Sequence, residues 1–206
     1  MTTVAELSTG LRTFSRADTE LFYLDPIQGM WTTEQYLAMT NASRSMIEYT
    51  DGTIEVLPMP TRRHQAISRL LFLAMLTFIE RIGGELFYAP LRLQIRPGKF
   101  REPDLLLLLN HNDPRNQNAF WLGADLVIEI VSPDDVARDT VVKRADYAEA
   151  RIPEYWIVHP ADETITVLKL AGDAYTEHGV FTRGQHATSL LLPDLLISID
   201  AVMDAR

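Results

Sequence analysis

Two carboxylates in this sequence stand beside or within strongly apolar runs. Glu129 lies inside Leu126–Val131, and Asp104 follows Pro103 directly before five consecutive leucines. An unpaired charge buried in such a run is costly, so each carboxylate needs a cation, a metal ion or a hydrogen-bond network. Hard oxygen ligands suit Mg²⁺, which binds one or two carboxylates and keeps several waters. The pair therefore indicates a metal site, and the alternatives are a turn cap at Asp104 and a core arginine paired with Glu129.

A cation near these carboxylates would serve phosphoryl chemistry, and the segment after Glu129 offers Lys143. On a wheel of about 100° per residue, one side of the predicted helix is apolar and carries Val141, Ala145, Ala148 and Ile152. Lys143 falls on the opposite side, four residues after Asp139. This predicts a solvent-facing lysine in an i,i+4 ion pair with Asp139, unless the side with Asp139, Lys143 and Tyr147 also faces protein.

Two further residues could approach such a site. His64 has the spacing i, i+3, i+7 with Ile67 and Leu71, so it extends an apolar helix face and is expected to look towards a sheet. It is either a satisfied core or capping histidine, or a site residue at a helix N-terminus, where backbone N–H groups favour phosphate. Glu48 precedes the turn signal Asp51-Gly52 and is expected to be an exposed hairpin residue, with an approach to the site as the alternative.

Composition removes several classes of protein. The chain has 206 residues, no cysteine and a formal net charge of −9. Without cysteine there is no disulfide, thiolate zinc site, cysteine-ligated iron–sulfur cluster or cysteine nucleophile, so a metal must be bound by oxygen ligands. No Gly-rich phosphate loop, Gly-x-Ser-x-Gly or His-Glu-x-x-His motif occurs. No apolar run of about 18 residues and no signal peptide is present, so a cytoplasmic protein without a membrane span is predicted.

The negative net charge argues against nucleic acid as a partner, but the charge is segregated. Residues 61–100 carry seven basic and two acidic side chains, a net charge of +5. The simplest explanation is a solvated helix face together with strand ends. The basic residues of this stretch are Arg62, Arg63, Arg69, Arg81, Arg92, Arg96 and Lys99.

The elements that would position these residues form an α/β pattern. Helices are predicted from His64 to Ile82, before Gly83-Gly84, and from Val136 to Arg151, after Ser132-Pro133-Asp134-Asp135. Nearly continuous apolar runs predict strands buried on both faces, at Leu105–Leu109 and Leu126–Val131. Shorter strands are predicted at Met46–Tyr49, Thr53–Leu57, Leu86–Tyr88, Leu91–Ile95, Tyr155–Val158 and Thr164–Leu170.

This order of elements predicts one α/β domain over residues 31–206, with a mixed central sheet flanked by α-helices and with additional β-hairpins. Residues 1–30 show no clear periodicity and are predicted to form an N-terminal extension.

Three groups of residues together resemble a known family. They are Pro103-Asp104; Glu129-Ile130-Val131-Ser132-Pro133 followed by Asp139, Lys143 and Tyr147; and the segment Ile152–Pro160. This combination is similar to the Uma-two family, which is assigned to the restriction endonucleases of the PD-(D/E)XK nuclease superfamily. The segment around Glu48 and Asp51-Gly52, with Pro58 and His64, also resembles the N-terminal half of that family. The resemblance covers roughly residues 30–200, and residues 125–160 are its most specific part.

The resemblance implies a restriction-endonuclease-like fold and metal-dependent phosphodiester hydrolysis. Asp104 corresponds to the acidic residue of the Pro-Asp motif and Glu129 to the second acidic residue. Val131 stands where the motif has its lysine, and the resemblance points to Lys143 on the following helix as the replacement. Asp104 and Glu129 are then expected to hold Mg²⁺ (or Mn²⁺) with the backbone carbonyl of Ile130. His64 and Glu48 are expected as supporting site residues.

The function predicted on this basis is a Mg²⁺-dependent endonuclease that hydrolyses DNA, with the basic stretch 61–100 contacting the nucleic-acid backbone. A homodimer is predicted because cutting both strands favours two sites. The alternatives are a catalytically silent nucleic-acid-binding protein on a nuclease scaffold, and a partner-binding module in which Glu129 is a core ion pair.

Overall fold

A six-stranded mixed sheet forms the centre of the protein. The computed structural model describes residues 27–43, 45–132 and 136–206. The central sheet has the order β10-β9-β8-β7-β6-β3. Only β7 and β8 run parallel, and every other neighbouring pair in this sheet is antiparallel. Its strands are β3 (Glu85–Tyr88), β6 (Leu105–Leu108), β7 (Leu126–Ile130), β8 (Glu154–His159), β9 (Thr164–Ala171) and β10 (Ala174–Phe181).

A second, antiparallel sheet of four strands has the order β2-β1-β5-β4. Its strands are β1 (Ile47–Thr50), β2 (Thr53–Val56), β4 (Leu93–Arg96) and β5 (Lys99–Arg101). The predicted hairpin at Asp51-Gly52 is confirmed, and both turn residues have positive φ angles of 45° and 89°, as a two-residue hairpin turn requires. A Cβ atom at Gly52 would lie 2.5 Å from the carbonyl oxygen of Gly29, so only glycine fits this position. A third, two-stranded sheet joins β11 (His186–Thr188) to β12 (Leu196–Ser198).

Helices cover both faces of the central sheet. The helices are α1 (Thr33–Ala42), α2 (Arg62–Arg81), α3 (Lys143–Glu149) and α4 (Ile199–Met203), and a π-helical segment, Arg138–Val142, leads directly into α3. On one face, α2 buries an i,i+4 series that includes Ile67 and Leu71 against Leu105 and Leu107. On the other face, α3 buries Tyr147 and Ala148 in the same cluster as Leu106 and Leu108. The leucine run is therefore buried on both faces, as predicted.

The second predicted helix differs in detail from the structure. Its expected start signals include residues 133–135, which lie outside the described residues, and its regular α-helical part ends at Glu149 rather than Arg151. The predicted N-terminal extension also falls mostly on residues 1–26, outside the described part. Within residues 27–30, the Gln28 side chain bonds both the N–H and the carbonyl of Ile54, each at 2.8 Å. None of the described helices is both long and apolar enough to cross a membrane.

Glu154 ties the C-terminal segment to the central sheet. This fully buried carboxylate accepts hydrogen bonds from Trp156 Nε1 at 2.6 Å and from the backbone N–H groups of Leu190 at 2.8 Å and Leu191 at 3.1 Å. A buried donor that loses its acceptor costs about 1–3 kcal/mol. The carboxylate therefore holds the strand and the segment after β11 in one register.

Replacing this acceptor tests that role. Glu154→Ala leaves the Trp156 Nε1 and Leu190 N–H donors unpaired, while the Leu191 N–H retains the Ser189 hydroxyl, so the free energy of unfolding is expected to fall by about 3 kcal/mol in urea denaturation. Glu177→Ala on the exposed side of β10 is the control and should stay within about 0.5 kcal/mol of the wild type. Equal losses in the two variants would show that the buried carboxylate has no such role.

Candidate functional site

An open cavity of about 140 Å³ lies between the N-terminus of α2, the β6–β7 pair and the π-helical segment. It is lined by five of the six residues predicted for catalysis or metal binding, together with Asp139. The five are His64, Asp104, Glu129, Ile130 and Lys143. The structure therefore brings together residues that are as far apart in the chain as positions 64 and 143.

Strand register explains why Asp104 meets Glu129. Strands β6 and β7 are antiparallel and Leu105 pairs with Ile128, so the residue before Leu105 comes beside the residue after Ile128. The Asp104 Oδ2 atom accepts a hydrogen bond from the Ile130 N–H at 2.7 Å. Asp104 thus bridges to the neighbouring strand instead of capping a turn of its own.

His64 holds the same oxygen from the side of α2. Its Nε2 atom lies 3.1 Å from Asp104 Oδ2, and its backbone N–H donates to the helix-capping hydroxyl of Thr61 at 3.2 Å. Burial alone lowers the pKa of His64. The hydrogen bond to Asp104 and the charge of that carboxylate raise the pKa by more than burial lowers it, so the net shift is upward. The Nδ1 atom is buried and has no hydrogen-bond partner among the described residues.

Glu129 is paired with a lysine rather than with an arginine. Its Oε2 atom lies 2.9 Å from Lys143 Nζ, and its Oε1 atom accepts a hydrogen bond from the Tyr147 hydroxyl. Burial raises the pKa of the Glu129 carboxyl, and the charge of Lys143 opposes that rise. Burial by itself would lower the pKa of Lys143, but the surrounding carboxylates raise it, so the ammonium form is favoured.

The prediction that Lys143 faces solvent is wrong. The side chain is buried, and its Nζ atom also lies 3.2 Å from Asp139 Oδ1. The stated exception applies, because the side with Asp139, Lys143 and Tyr147 also faces protein; of the expected apolar side, Ala148 and Ile152 are buried and Val141 is 65% exposed. The physical reason is electrostatic: a carboxylate within a core strand needs a cation, and this requirement outweighs the burial of one valine.

Glu48 is also not the exposed hairpin residue that the turn signal predicts. It is 1% exposed, and its Oε2 atom accepts from Arg138 at 2.6 Å while its Oε1 atom accepts from the backbone N–H of Glu102 at 3.2 Å. Burial alone raises the pKa of Glu48, but the charges of Lys143, Arg101 and Arg138 bring it below its usual value. Glu48 is buried because its side of β1 faces the cations Arg101, Arg138 and Lys143. Glu48 lines an adjacent cleft of about 160 Å³, and its Oε1 atom lies 3.8 Å from Lys143 Nζ.

Sequence reasoning did not single out Asp139 and Tyr147 as site residues. Both are buried against Lys143 and Glu129, and the Asp139 carbonyl accepts from the Tyr155 hydroxyl at 2.8 Å. The spacing of Asp139, Lys143 and Tyr147, at i, i+4 and i+8, places them on one helix face. The spacing is visible in the sequence, but it indicates site residues only once this helix face is known to be buried.

The basic stretch 61–100 is largely engaged within the protein. Arg96 pairs with Asp51 and Glu149, and Lys99 pairs with Asp146 and Glu149. Arg92 bonds side chains of α1 and the Ala119 carbonyl. The strand residues of this stretch therefore stabilise the fold. This favours the view that the basic charge belongs to strand ends over the view that the whole stretch contacts nucleic acid.

The donor set at the cavity is compatible with a hydrated divalent cation. Across the described ranges, no three His, Asp or Glu side chains are arranged to hold a metal ion by themselves. Asp104 and Glu129 supply two carboxylates, which is the number that Mg²⁺ commonly takes from a protein. The lining carries four carboxyl groups, those of Glu102, Asp104, Glu129 and Asp139, against the basic side chains of His64, Arg138 and Lys143, and a bound cation would offset carboxylate charge that these three leave.

Two comparisons with known proteins find similar proteins. A family model described as "Uma2: Putative restriction endonuclease" matches residues 33–200. The chain also resembles the crystal structure of a "putative nuclease belonging to DUF820" from Anabaena variabilis, with a TM-score of 0.65 and 20% sequence identity, covering 81% of this chain and 96% of the other. That likeness confirms the predicted fold class. A comparison with curated proteins finds no match.

The buried lysine–glutamate pair can be tested without any substrate. Lys143→Met leaves Glu129 and Asp139 without their cation, so the free energy of unfolding should fall by about 3 kcal/mol in urea denaturation without divalent ions. Adding Glu129→Gln to this variant should restore part of the loss, with a coupling energy between about 0.5 and 3 kcal/mol. Strictly additive effects of the two substitutions would contradict the pairing.

Proposed function

Because the chain belongs to the Uma2 family, we propose that it is a Mg²⁺-dependent endonuclease that hydrolyses phosphodiester bonds of DNA. The observation that carries the proposal is the position of Lys143. Val131, where the nuclease motif has its lysine, is buried in the core beneath α3. Lys143 instead brings an ammonium group to within 2.9 Å of Glu129, beside the same cavity as Asp104.

In this proposal, Asp104 and Glu129 would hold Mg²⁺ or Mn²⁺, with the carbonyl of Ile130 as a further ligand. When bound, the ion would polarise the scissile phosphate and lower the pKa of a nearby water. The Ile130 N–H and His64 both engage Asp104 Oδ2 and thereby fix the orientation of the carboxylate. Its other oxygen, Oδ1, has no hydrogen-bond partner among the described residues and is free to act as the ligand atom.

Lys143 acts on the substrate side of the site. Its ammonium group stabilises the negative charge that develops on the phosphate and orients the attacking water. Asp139 and Tyr147 position the two reacting side chains, because Asp139 holds Lys143 and Tyr147 holds Glu129. Glu48 adds negative potential behind the lysine at 3.8 Å and favours its charged form.

The same proposal includes a cytoplasmic homodimer. A single site cuts one strand, and cutting both strands of a duplex requires two sites of opposite orientation. A two-fold dimer supplies them, and such dimers are the commonest oligomers.

Cleavage of supercoiled plasmid DNA with Mg²⁺ or Mn²⁺ tests the proposal directly. Asp104→Ala and Glu129→Ala each remove a metal ligand, so the rate should fall by at least about 100-fold, and chelation of the metal should abolish cleavage. Asp173→Ala is the matched control. This carboxylate is 97% exposed, in the turn between β9 and β10 at the edge of the central sheet opposite to β3, so its removal should leave the cleavage rate unchanged. Undiminished cleavage by both site variants would overturn the assignment.

A second candidate is a nucleic-acid-binding protein without turnover. The favouring observation is that Lys143 already neutralises Glu129, so the buried carboxylate has a cation in the absence of any metal. This candidate predicts salt-dependent DNA binding and no cleavage with any divalent ion. The same plasmid assay, run beside a binding titration at several salt concentrations, separates the two.

A further inference from the structure

The cavity has two walls of different chemistry. One wall carries the charged side chains, including Asp104, Glu129 and Lys143. The other part of the lining, called the apolar wall, consists of Leu57, Pro58 and Pro60, from the loop between β2 and α2, and of Tyr88 and Ala89, at the end of β3. The proline rings restrict the backbone of this loop, so the apolar wall is a stiff surface.

Tyr88 differs from the other tyrosines of the described residues. Five of the six are buried and donate their hydroxyl within the protein: Tyr36, Tyr49, Tyr147, Tyr155 and Tyr175. Tyr88 is 55% exposed, and its hydroxyl has no hydrogen-bond partner in the described part of the chain. Its ring is held by one edge-to-face contact with Phe72 of α2, with a centroid separation of 5.1 Å.

Strand pairing places the backbone of Tyr88 beside that of the proposed metal ligand, and both side chains line the cavity. Tyr88 pairs with Leu105, the residue after Asp104, and the Ala89 N–H donates to the Asp104 carbonyl at 3.2 Å. The exposed Tyr88 ring, whose hydroxyl bonds nothing in the described part of the chain, therefore lies near Asp104, the carboxylate proposed to act at the scissile phosphate. The core gains little from an exposed side chain, so packing does not account for the tyrosine.

The chemistry of the substrate identifies what the apolar wall receives. Because both sets of residues line one cavity, a group covalently attached to a phosphate at the charged wall would lie against the apolar wall. In a nucleic acid that neighbour is a nucleoside, and only its base is suited to an apolar, aromatic surface. A base within a duplex is stacked between its neighbours and reaches such a wall only after leaving the stack.

We propose that the apolar wall binds an unstacked nucleobase adjacent to the scissile phosphate, with Tyr88 as its stacking platform. The inference rests on the proposed function and names its substrate class: single-stranded DNA, or a duplex with an unpaired nucleotide at the point of cleavage. Gln65 and Ser68 of α2 line the same cavity and supply polar groups at the edge of the base.

Binding to a fluorescent oligonucleotide tests this without requiring turnover. The probe is a single strand of about 12 nucleotides with a central 2-aminopurine, whose fluorescence is quenched when the base stacks. In the absence of divalent ions, the fluorescence of the fully bound probe is expected to be lower with the wild type and with Tyr88→Phe than with Tyr88→Ala, which has no ring to quench the unstacked base. Tyr88→Ala should lose the quenching and bind about 5- to 100-fold more weakly.

Phe87→Ala is the matched control. Phe87 is the preceding residue of the same strand and is also partly exposed, but its ring packs against Trp121 on the opposite face of the sheet. It should bind the probe like the wild type. Thermal melting of each variant establishes that the fold is retained. Wild-type quenching and affinity in a folded Tyr88→Ala variant would overturn the proposal.

Failure of the base site and failure of the hydrolase give different results. Equal rates of wild type and Tyr88→Ala on both single-stranded and fully paired DNA would overturn the base site and leave the hydrolase standing. Tyr88-dependent quenching without hydrolysis by any divalent ion would support the base site and reject the hydrolase.

Discussion

The arrangement of the site depends on one buried ion pair, between Glu129 in the central strand and Lys143 on the helix that follows it. A carboxylate in the middle of a sheet is tolerated only when a cation and hydrogen bonds compensate for lost solvation. Lys143 and the Tyr147 hydroxyl provide this compensation. The polar side of the helix is consequently buried as well as its apolar residues Ala148 and Ile152, and Asp139 lies at the cavity.

This pair also links the two larger sheets. Glu48 of the four-stranded sheet lies within ion-pair distance of Lys143 and binds Arg138, while Arg101 of the same sheet pairs with Asp146 of α3. Glu48 is shared between cations from three elements, Arg101 of β5, Arg138 of the π-helical segment and Lys143 of α3. Breaking one contact therefore exposes several groups to uncompensated burial, and the network acts as a unit.

Much of the fold is predictable from sequence, because apolar runs and turn signals are local. The leucine strand, the strand around Glu129, the Asp51-Gly52 hairpin and the long helix before Gly83 all follow from pattern. The orientation of Lys143 and the burial of Glu48 do not, because a helical wheel or a turn signal describes one element and cannot include charges on another. The same holds for Tyr88, whose significance comes from strand pairing with the residue beside Asp104.

The parallel pairing of β7 with β8 has a consequence for how such a site can evolve. Parallel neighbours require a crossover connection, and here the crossover contains the π-helical segment and α3, which carry the lysine. A lysine within the strand would be fixed by the register of the sheet. A lysine on the crossover can change its reach through the length or winding of the helix while the sheet stays intact. The packing of Val131 in the core and the position of the Lys143 ammonium group are thus separately adjustable under selection.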